Sequence, residues 1–282
     1  MTGKHSKKIK ISTVCCNIFT IVIVLLFLLP LYVALVTSFK TPMEIADSVL
    51  ALPRQFSFSN YINGMEESQF ARSLINSVIV TFPAVLMIVI FSAMGGYAIA
   101  RFSNRNRMIR FMDKLYLSSL MIPFQVIMIP VYKTFKDLGL LNSLGGMILM
   151  LTGYSIAYPT FLIVGFVKSI PRVTEEAATI DGCGPFKCFF VIVLPLLKPI
   201  VATVAALHVM WLWNDYNIAV ILLQKDEVRT LTVKQYYFFS EFSWDYGMAF
   251  AAAIICMLPI LIFFVLMQKN LVEGISAGAV KS

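Results

Sequence analysis

Two adjacent acids, Glu175 and Glu176, lead into Ala177 and Ala178 and then into Asp181, Gly182 and Gly184-Pro185, the one polar stretch whose residue types look placed for a task. Acids in the first turn of a short helix suit the positive end of its dipole, and glycine just past the last turn suits the left-handed residue that often ends one. The order predicts a short helix entered at Thr174 and stopped at Gly182. Chemistry of other kinds is missing. No G-x-x-x-x-G-K-[ST] phosphate loop, G-x-S-x-G elbow or H-E-x-x-H pair occurs, and the two histidines are His5 and His208. No catalytic, metal-binding or cofactor-binding residue is expected in this chain. Cys15, Cys16, Cys183, Cys188 and Cys256 have neither Cys-x-x-Cys spacing nor a nearby histidine, so they read as small apolar side chains or free thiols.

The elements that must carry the polar stretch are membrane spans. Of the 282 residues 59% are hydrophobic and 13% are charged, against roughly 25% charged in a soluble fold. Uncharged runs occupy 11–39, 73–100, 115–132, 138–167 and 246–268. Each supplies the about 20 apolar residues that cross a hydrocarbon core. A further span must lie between Val191 and Leu223, although Lys198 and Asp215 divide it. The expectation is an all-α polytopic membrane protein, one transmembrane domain over 1–282, with spans at about 12–38, 73–100, 114–134, 146–168, 191–223 and 246–268. The loop 171–190 and the tail 269–282 lie outside them.

Basic residues orient these spans, because cytoplasmic loops carry an excess of lysine and arginine. With the amino terminus inside, the inner segments hold Lys4, Lys7, Lys8 and Lys10, five basic residues from Arg101 to Lys114, four from Lys168 to Lys198, then Lys269 and Lys281. That is 15 of the 23. Both termini and the 174–199 stretch are thus expected in the cytoplasm. The net charge of +8 follows from this topology and from anionic lipid, so nucleic acid is not needed as a partner. A cleaved signal peptide fits poorly, since the first apolar run exceeds a signal core.

Along the chain, Ser92, Gly96 and Ala100 recur at four-residue spacing, which lets another helix approach closely in lipid. Gly247 with Ala251 and Ala249 with Ala253 offer the same in the last span. Pro123, Gln125 and Pro130 predict a bent or broken third span, and Gln125 could border a pathway. Asn214 and Asp215 are either pathway residues or polar groups near a span end that pack against a partner. The aromatics between Tyr236 and Trp244 read as an interfacial belt. The tail from Gly274 to Ser282 is too short to fold alone, so it docks or stays mobile.

The spacing Glu176-Ala177-Ala178, three residues, Gly182, nine residues, Ile192, one residue, Leu194-Pro195 resembles the EAA signature of permease subunits of binding-protein-dependent ABC importers. The likeness extends over nearly the whole chain and is similar to the carbohydrate branch, in particular the second permease of maltose-type systems. It rests on Asn76-Ser77, Ala98-Ile99-Ala100-Arg101, Ile129-Pro130-Val131-Tyr132 with Leu138-Gly139-Leu140 and Asn142, Trp213-Asn214-Asp215, Arg229-Thr230-Leu231 and the tail. Cys183 stands where alanine is usual, and Tyr216-Asn217 replaces an aromatic-leucine pair.

The resemblance implies a type I ABC importer, methionine-permease-like fold of six transmembrane helices with both termini inside. It also implies an EAA loop whose helix sits in a cleft of a cytosolic ATPase. Glu175, Glu176, Ala177, Ala178, Ile180, Asp181, Gly182 and Gly184 would form that coupling element. Within it Ala177, Ala178 and Ile180 would supply the packing face, the two glycines the turn and Glu176 the charge. Gly274, Ala277, Gly278 and Lys281 would reach toward the ATPase dimer. The implied partners are a second homologous permease, two ATPase subunits that bind ATP and Mg, an extracytoplasmic solute-binding protein, a sugar substrate and lipid, in a bacterial or archaeal cytoplasmic membrane. Rival expectations are a permease for amino acids, peptides or phosphate, an ion-driven secondary transporter, which should show paired intramembrane charges, and a scaffold that binds no ATPase.

Overall fold

A computed structural model describes residues 11–241 and 245–279, with side chains for 15–237 and 245–268. Every regular element among the described residues is helical: α1 (Ile11–Thr37), α2 (Pro42–Asp47), α3 (Ser59–Glu67), α4 (Phe70–Phe102), α5 (Arg107–Ser119), α6 (Phe124–Asp137), α7 (Leu144–Ser155), α8 (Ala157–Ser169) and α9 (Val173–Ile180). There follow α10 (Pro185–Lys187), a π-turn (Cys188–Val193), α11 (Leu194–Leu196), α12 (Lys198–Trp213), α13 (Ala219–Leu222), a 3-10 turn (Asp226–Val228), α14 (Leu231–Glu241) and α15 (Tyr246–Ala279).

Stretches Cys15–Thr37, Phe70–Phe102 and Tyr246–Gln268 are long and apolar enough to cross a membrane unbroken. Three further pairs of helices are long and apolar enough only when taken together across a bend: α5 with α6 at 109°, α7 with α8 at 45°, and Pro185–Leu196 with α12 at 74°. The expectation of a bent third span is met at Pro123, whose extended backbone caps α6, whereas Pro130 is carried inside α6. Within the expected spans 146–168 and 191–223 the helices are interrupted. The first breaks at Ile156. The second turns at Leu197, where Pro199 in the first turn of α12 cannot continue the amide ladder. Its helix then ends at Trp213 rather than near 223.

The chain divides into two compact units. One comprises residues up to Ser68 and Phe238–Ile255. In it Phe39 packs edge-on against Phe56 and Phe58, and Thr41 and Glu44 close a capping box on α2. Lys40 is buried, with Nζ donating to the carbonyls of Ser48 at 2.8 Å and Val49 at 3.2 Å. Gly64 faces Ala252, and Ala249, Ala251 and Ala253 are buried, as small packing residues in lipid should be.

The other unit holds Gln69–Tyr237 and the chain from Cys256 onward. Here α4 packs along α7, α8 and α12. Val80, Ala84 and Ile88 meet Met147, Leu151, Val209 and Leu222 in one cluster. Further along α4, Ala93, Tyr97 and Ala100 meet Ile163, Val167, Ala178, Phe189 and Val193 in a second. At the start of α4, Asn76 Nδ2 donates to the carbonyls of Glu227 and Arg229, each at 3.0 Å, and Leu231 N–H donates to Ser77 Oγ at 2.8 Å. Asn142, in the left-handed region at φ 57°, accepts from Lys225 N–H at 2.7 Å. Residues that carried the family likeness in three separate motifs thereby fix one loop, 224–231.

Asp226 anchors that loop through Arg229 at 3.0 Å and Lys234. Burial works to raise its carboxyl, but the Lys234 hydrogen bond and the charges of Lys234 and Arg229 outweigh this and hold it below the usual range. A carboxyl depressed in the folded state adds stability that is present above the unfolded value and lost as pH falls through the folded one. Replacing Asp226 by Asn should therefore lower the thermal midpoint in detergent at pH 5–7. The gap from the native chain should close below about pH 4, the ordinary aspartate range. A gap that stays constant to pH 3 would show that the charge contributes nothing.

Candidate functional site

The α9 loop, expected to couple to an ATPase, is built by local rules. Glu175 and Glu176 occupy the first turn of α9, where the dipole favours them. Thr174 does not cap the helix as expected; its hydroxyl donates back to Pro171 O at 2.7 Å, and Arg172 stands at the cap with no side-chain bond. At the other end Gly182 takes φ +79°, Gly182 N–H donates to Thr179 O at 3.1 Å, and Cys183 N–H donates to Ala178 O at 2.9 Å. These are the two bonds of a Schellman ending, and only glycine adopts that φ without strain. Asp181 closes the helix, and Gly184, extended, precedes Pro185 at the first position of α10.

The two glutamates differ in burial, one held against α4 and the other exposed. Glu175 faces inward: Arg101 Nε donates to its Oε1 at 2.8 Å, Arg101 Nη2 lies 2.6 Å from the same oxygen, and Tyr97 OH donates to Oε2 at 3.0 Å. Arg101 also donates to Ile170 O at 3.0 Å. The Arg101 and Glu175 side chains are 7% and 14% exposed, so this pair is desolvated and fully bonded. Val173, Glu176, Ala177 and Ile180 fall at i, i+3, i+4 and i+7 and are all exposed, Ile180 at 86%. That corrects one expectation, the place of Ala178 on the packing face. Ala178 is 7% exposed and packs into the chain's own core, so it cannot belong to an outward packing face, and Glu175 is turned away from that face. A cavity of about 310 Å³ beside α9 is lined by Arg101, Arg105, Arg172, Glu175, Glu176 and neighbours.

The remaining expected residues are scattered. Gln125 is exposed on the first turn of α6. Asn214 Nδ2 donates to Met210 O at 2.8 Å, and Asp215 Oδ2 accepts Ala219 N–H at 3.0 Å, so both side chains serve the turn between α12 and α13. Gly274, Ala277 and Gly278 lie on α15, which runs to Ala279; the backbone there continues the last helix instead of forming a separate tail. Lys281 lies outside the described residues.

One constellation escaped the sequence reading. Where α5 breaks from α6 and α7 from α8, Ser119, Leu120, Ile122, Tyr154, Ser155, Tyr158, His208 and Trp211 line a cavity of about 180 Å³. Tyr158 and Trp211 lie 5.4 Å apart by ring centroids, and His208 and Trp211 5.1 Å. His208 is buried and its Nδ1 is 2.8 Å from Val204 O, which fixes the ring. The lining offers aromatic faces and hydroxyls and no carboxylate, ammonium or guanidinium. The available signal was His208 and Trp211 at i, i+3 and Tyr154 and Tyr158 at i, i+4, but only the bends bring the pairs together. Among the described residues no group of three or more His, Cys, Asp or Glu is placed to hold a metal.

Residues 92–277 match the family model described as binding-protein-dependent transport system inner membrane component. The probable starch degradation products transport system permease protein AmyC of Thermoanaerobacterium thermosulfurigenes is 36% identical over 275 residues, 98% of this chain and 99% of that protein. The melibiose/raffinose/stachyose import permease protein MelC of Bacillus subtilis is 36% identical over 254 residues, 90% of this chain and 91% of that one. A chain from the crystal structure of a bacterial ABC transporter involved in the import of the acidic polysaccharide alginate shares the fold, with a TM-score of 0.79 at 24% identity over 95% of this chain and 99% of that chain. The chain therefore belongs to the family of inner membrane components of binding-protein-dependent transport systems: it is a multi-pass permease subunit of an ABC importer, a transport subunit rather than an enzyme, which works with a separate ATPase, a binding protein and another permease.

Proposed function

We propose that this chain is one of two homologous permease halves of an importer of neutral sugars or oligosaccharides. It works with two cytosolic ATPase subunits that bind ATP and magnesium and with an external solute-binding protein. It sits in a bacterial or archaeal cytoplasmic membrane with both termini and α9 inside. ATP-driven closure of the ATPases displaces the α9 loop and rocks the helices between inward-open and outward-open states, each favoured by different ligands. The exposed face of Val173, Glu176, Ala177 and Ile180 has the form of a helix laid in a partner's groove, one charge fixing register.

The uncharged aromatic cavity carries the substrate class. Sugar rings present C–H faces that stack on aromatic rings and hydroxyls that bond to Ser and Tyr. A phosphate or a zwitterionic amino acid would leave its charges unpaired there. Breaks in spanning helices are also where transporter sites form. The relatives named for starch degradation products and for melibiose, raffinose and stachyose point the same way.

The test is uptake by the complete transporter in proteoliposomes loaded with ATP. Maltotriose or raffinose should accumulate, whereas glutamate, dipeptides and phosphate should not; accumulation of one of the latter instead overturns the sugar reading. Trp211→Leu should lower sugar uptake by about 3- to 10-fold, from a stacking contribution of about 0.5–1.5 kcal/mol. Trp211→Phe should keep most of it. Equal uptake by native and Leu chains would remove the cavity from the pathway.

A further inference from the structure

Of the two adjacent glutamates of α9 one is bonded to α4 and the other is exposed, and this assigns them different tasks. Glu176 is exposed, while Glu175 is bonded three times by two residues of one helix: Arg101 through Nε and Nη2, and Tyr97 through its hydroxyl. Arg101 reaches from the same position to Ile170 O at the entry of the loop, so one guanidinium holds both the helix and the chain leading into it. Below the pair, Ala178 enters the cluster that contains Tyr97, Ala100 and Phe189. The coupling helix is therefore fastened to α4 by a charged, directional bond as well as by packing.

The identity of the helix it is fastened to gives the bond a consequence. α4 has 33 residues, about 50 Å at 1.5 Å per residue. It packs against α7, α8 and α12, and its far end holds the 224–231 loop through Asn76 and Ser77. A push on α9 that could be absorbed in the Gly182 turn is instead delivered to the end of this rod. We infer that Arg101 and Tyr97 are positioning residues for energy coupling: they lock Glu175 so that α9 and α4 move as one body, whereas Glu176 makes the contact with the ATPase.

This inference rests on the importer reading above, and the experiment keeps the two apart. In the full complex, with the five native cysteines replaced by alanine, spin labels at Thr174→Cys, exposed on α9 but off the face of Val173, Glu176, Ala177 and Ile180, and at Met94→Cys on α4 report their separation with and without ATP and vanadate. With Arg101 and Glu175 intact, the distance distribution should be narrow and the same in both states. Glu175→Gln and Arg101→Met should broaden it about twofold. They should also lower the stimulation of ATP hydrolysis by the solute-binding protein by about fivefold, the scale of a lost buried contact, with ATPase co-purification retained. Tyr97→Phe, which removes one bond and preserves shape, should fall between.

A narrow, unchanged distribution in both Glu175→Gln and Tyr97→Phe overturns the lock. Loss of the ATPase by Glu175→Gln to the extent caused by Glu176→Lys overturns the division of tasks. If the unmutated chain recovers no ATPase, the importer reading fails, while the distance measurement on the permease alone still decides the lock.

Discussion

Glu176→Lys is expected to abolish ATP-driven uptake and to strip the ATPase from the complex, while the permease still inserts and folds. Glu176 sits on the exposed side of α9 with Ala177 and Ile180 beside it, and among the described residues its carboxylate accepts no bond from another side chain. Its charge is thus unspent and available to a partner. Reversal would set like charges against each other in a closed groove. Losing a buried interfacial charge pair costs about 2–5 kcal/mol, at least about 30-fold in affinity. An exposed substitution changes folding by only about 0.5 kcal/mol. Co-purification of the ATPase should fall with uptake, and Glu176→Gln should lose less than Lys because it adds no repulsion. Unchanged uptake and unchanged co-purification in Glu176→Lys would end the coupling assignment.

Legibility in the sequence followed the range of the forces involved. The Gly182 ending could be read directly, because the left-handed residue and its two bonds are made within six residues. The Ser92, Gly96 and Ala100 stripe was equally local, and it packs as its spacing implied. Arg101 was different. Its charge read as a topological anchor, yet it is 9% exposed because its partner arrives from 74 positions away. The same distance hid which glutamate turns inward, since periodicity separates Glu175 from Glu176 by a helical step without saying which face is covered. Tyr154, Tyr158, His208 and Trp211 looked like ordinary span residues because the bends that gather them occur at Leu120–Pro123 and Ile156; Pro123 and Pro159 mark the two bends, but a proline does not say which side chains its bend brings together.

Gly96→Val should force α4 away from α8 and strongly destabilise the larger unit. A Cβ at Gly96 would lie 2.7 Å from Ile163 Cγ2, 3.0 Å from Ile163 Cβ and 3.3 Å from Thr160 O. Ile163 is fully buried on α8, and Thr160 is held by its own bond to Ile156 O at 2.7 Å, so neither has room to retreat. Relief requires α4 and α8 to separate, which opens the cluster of Ala93, Val164 and Val167. Overpacking of this kind costs about 1–3 kcal/mol for a methyl, and valine adds two more carbons. Gly95 is the matched control, because a Cβ there meets nothing within 4 Å; Gly95→Ala should be neutral or stabilising by about 0.4–1 kcal/mol. Heating the permease in detergent and measuring the monodisperse fraction should rank Gly95→Ala at or above the native chain, then Gly96→Ala, with Gly96→Val last. Equal survival of the 95 and 96 variants would show that the close approach is not what holds these helices. Because Tyr97 and Arg101 follow Gly96 on the same helix, any separation also tilts the groups that grip Glu175. Gly96→Ala should accordingly weaken coupling before it weakens folding, a difference visible as lost binding-protein stimulation of ATP hydrolysis at temperatures where the chain remains intact.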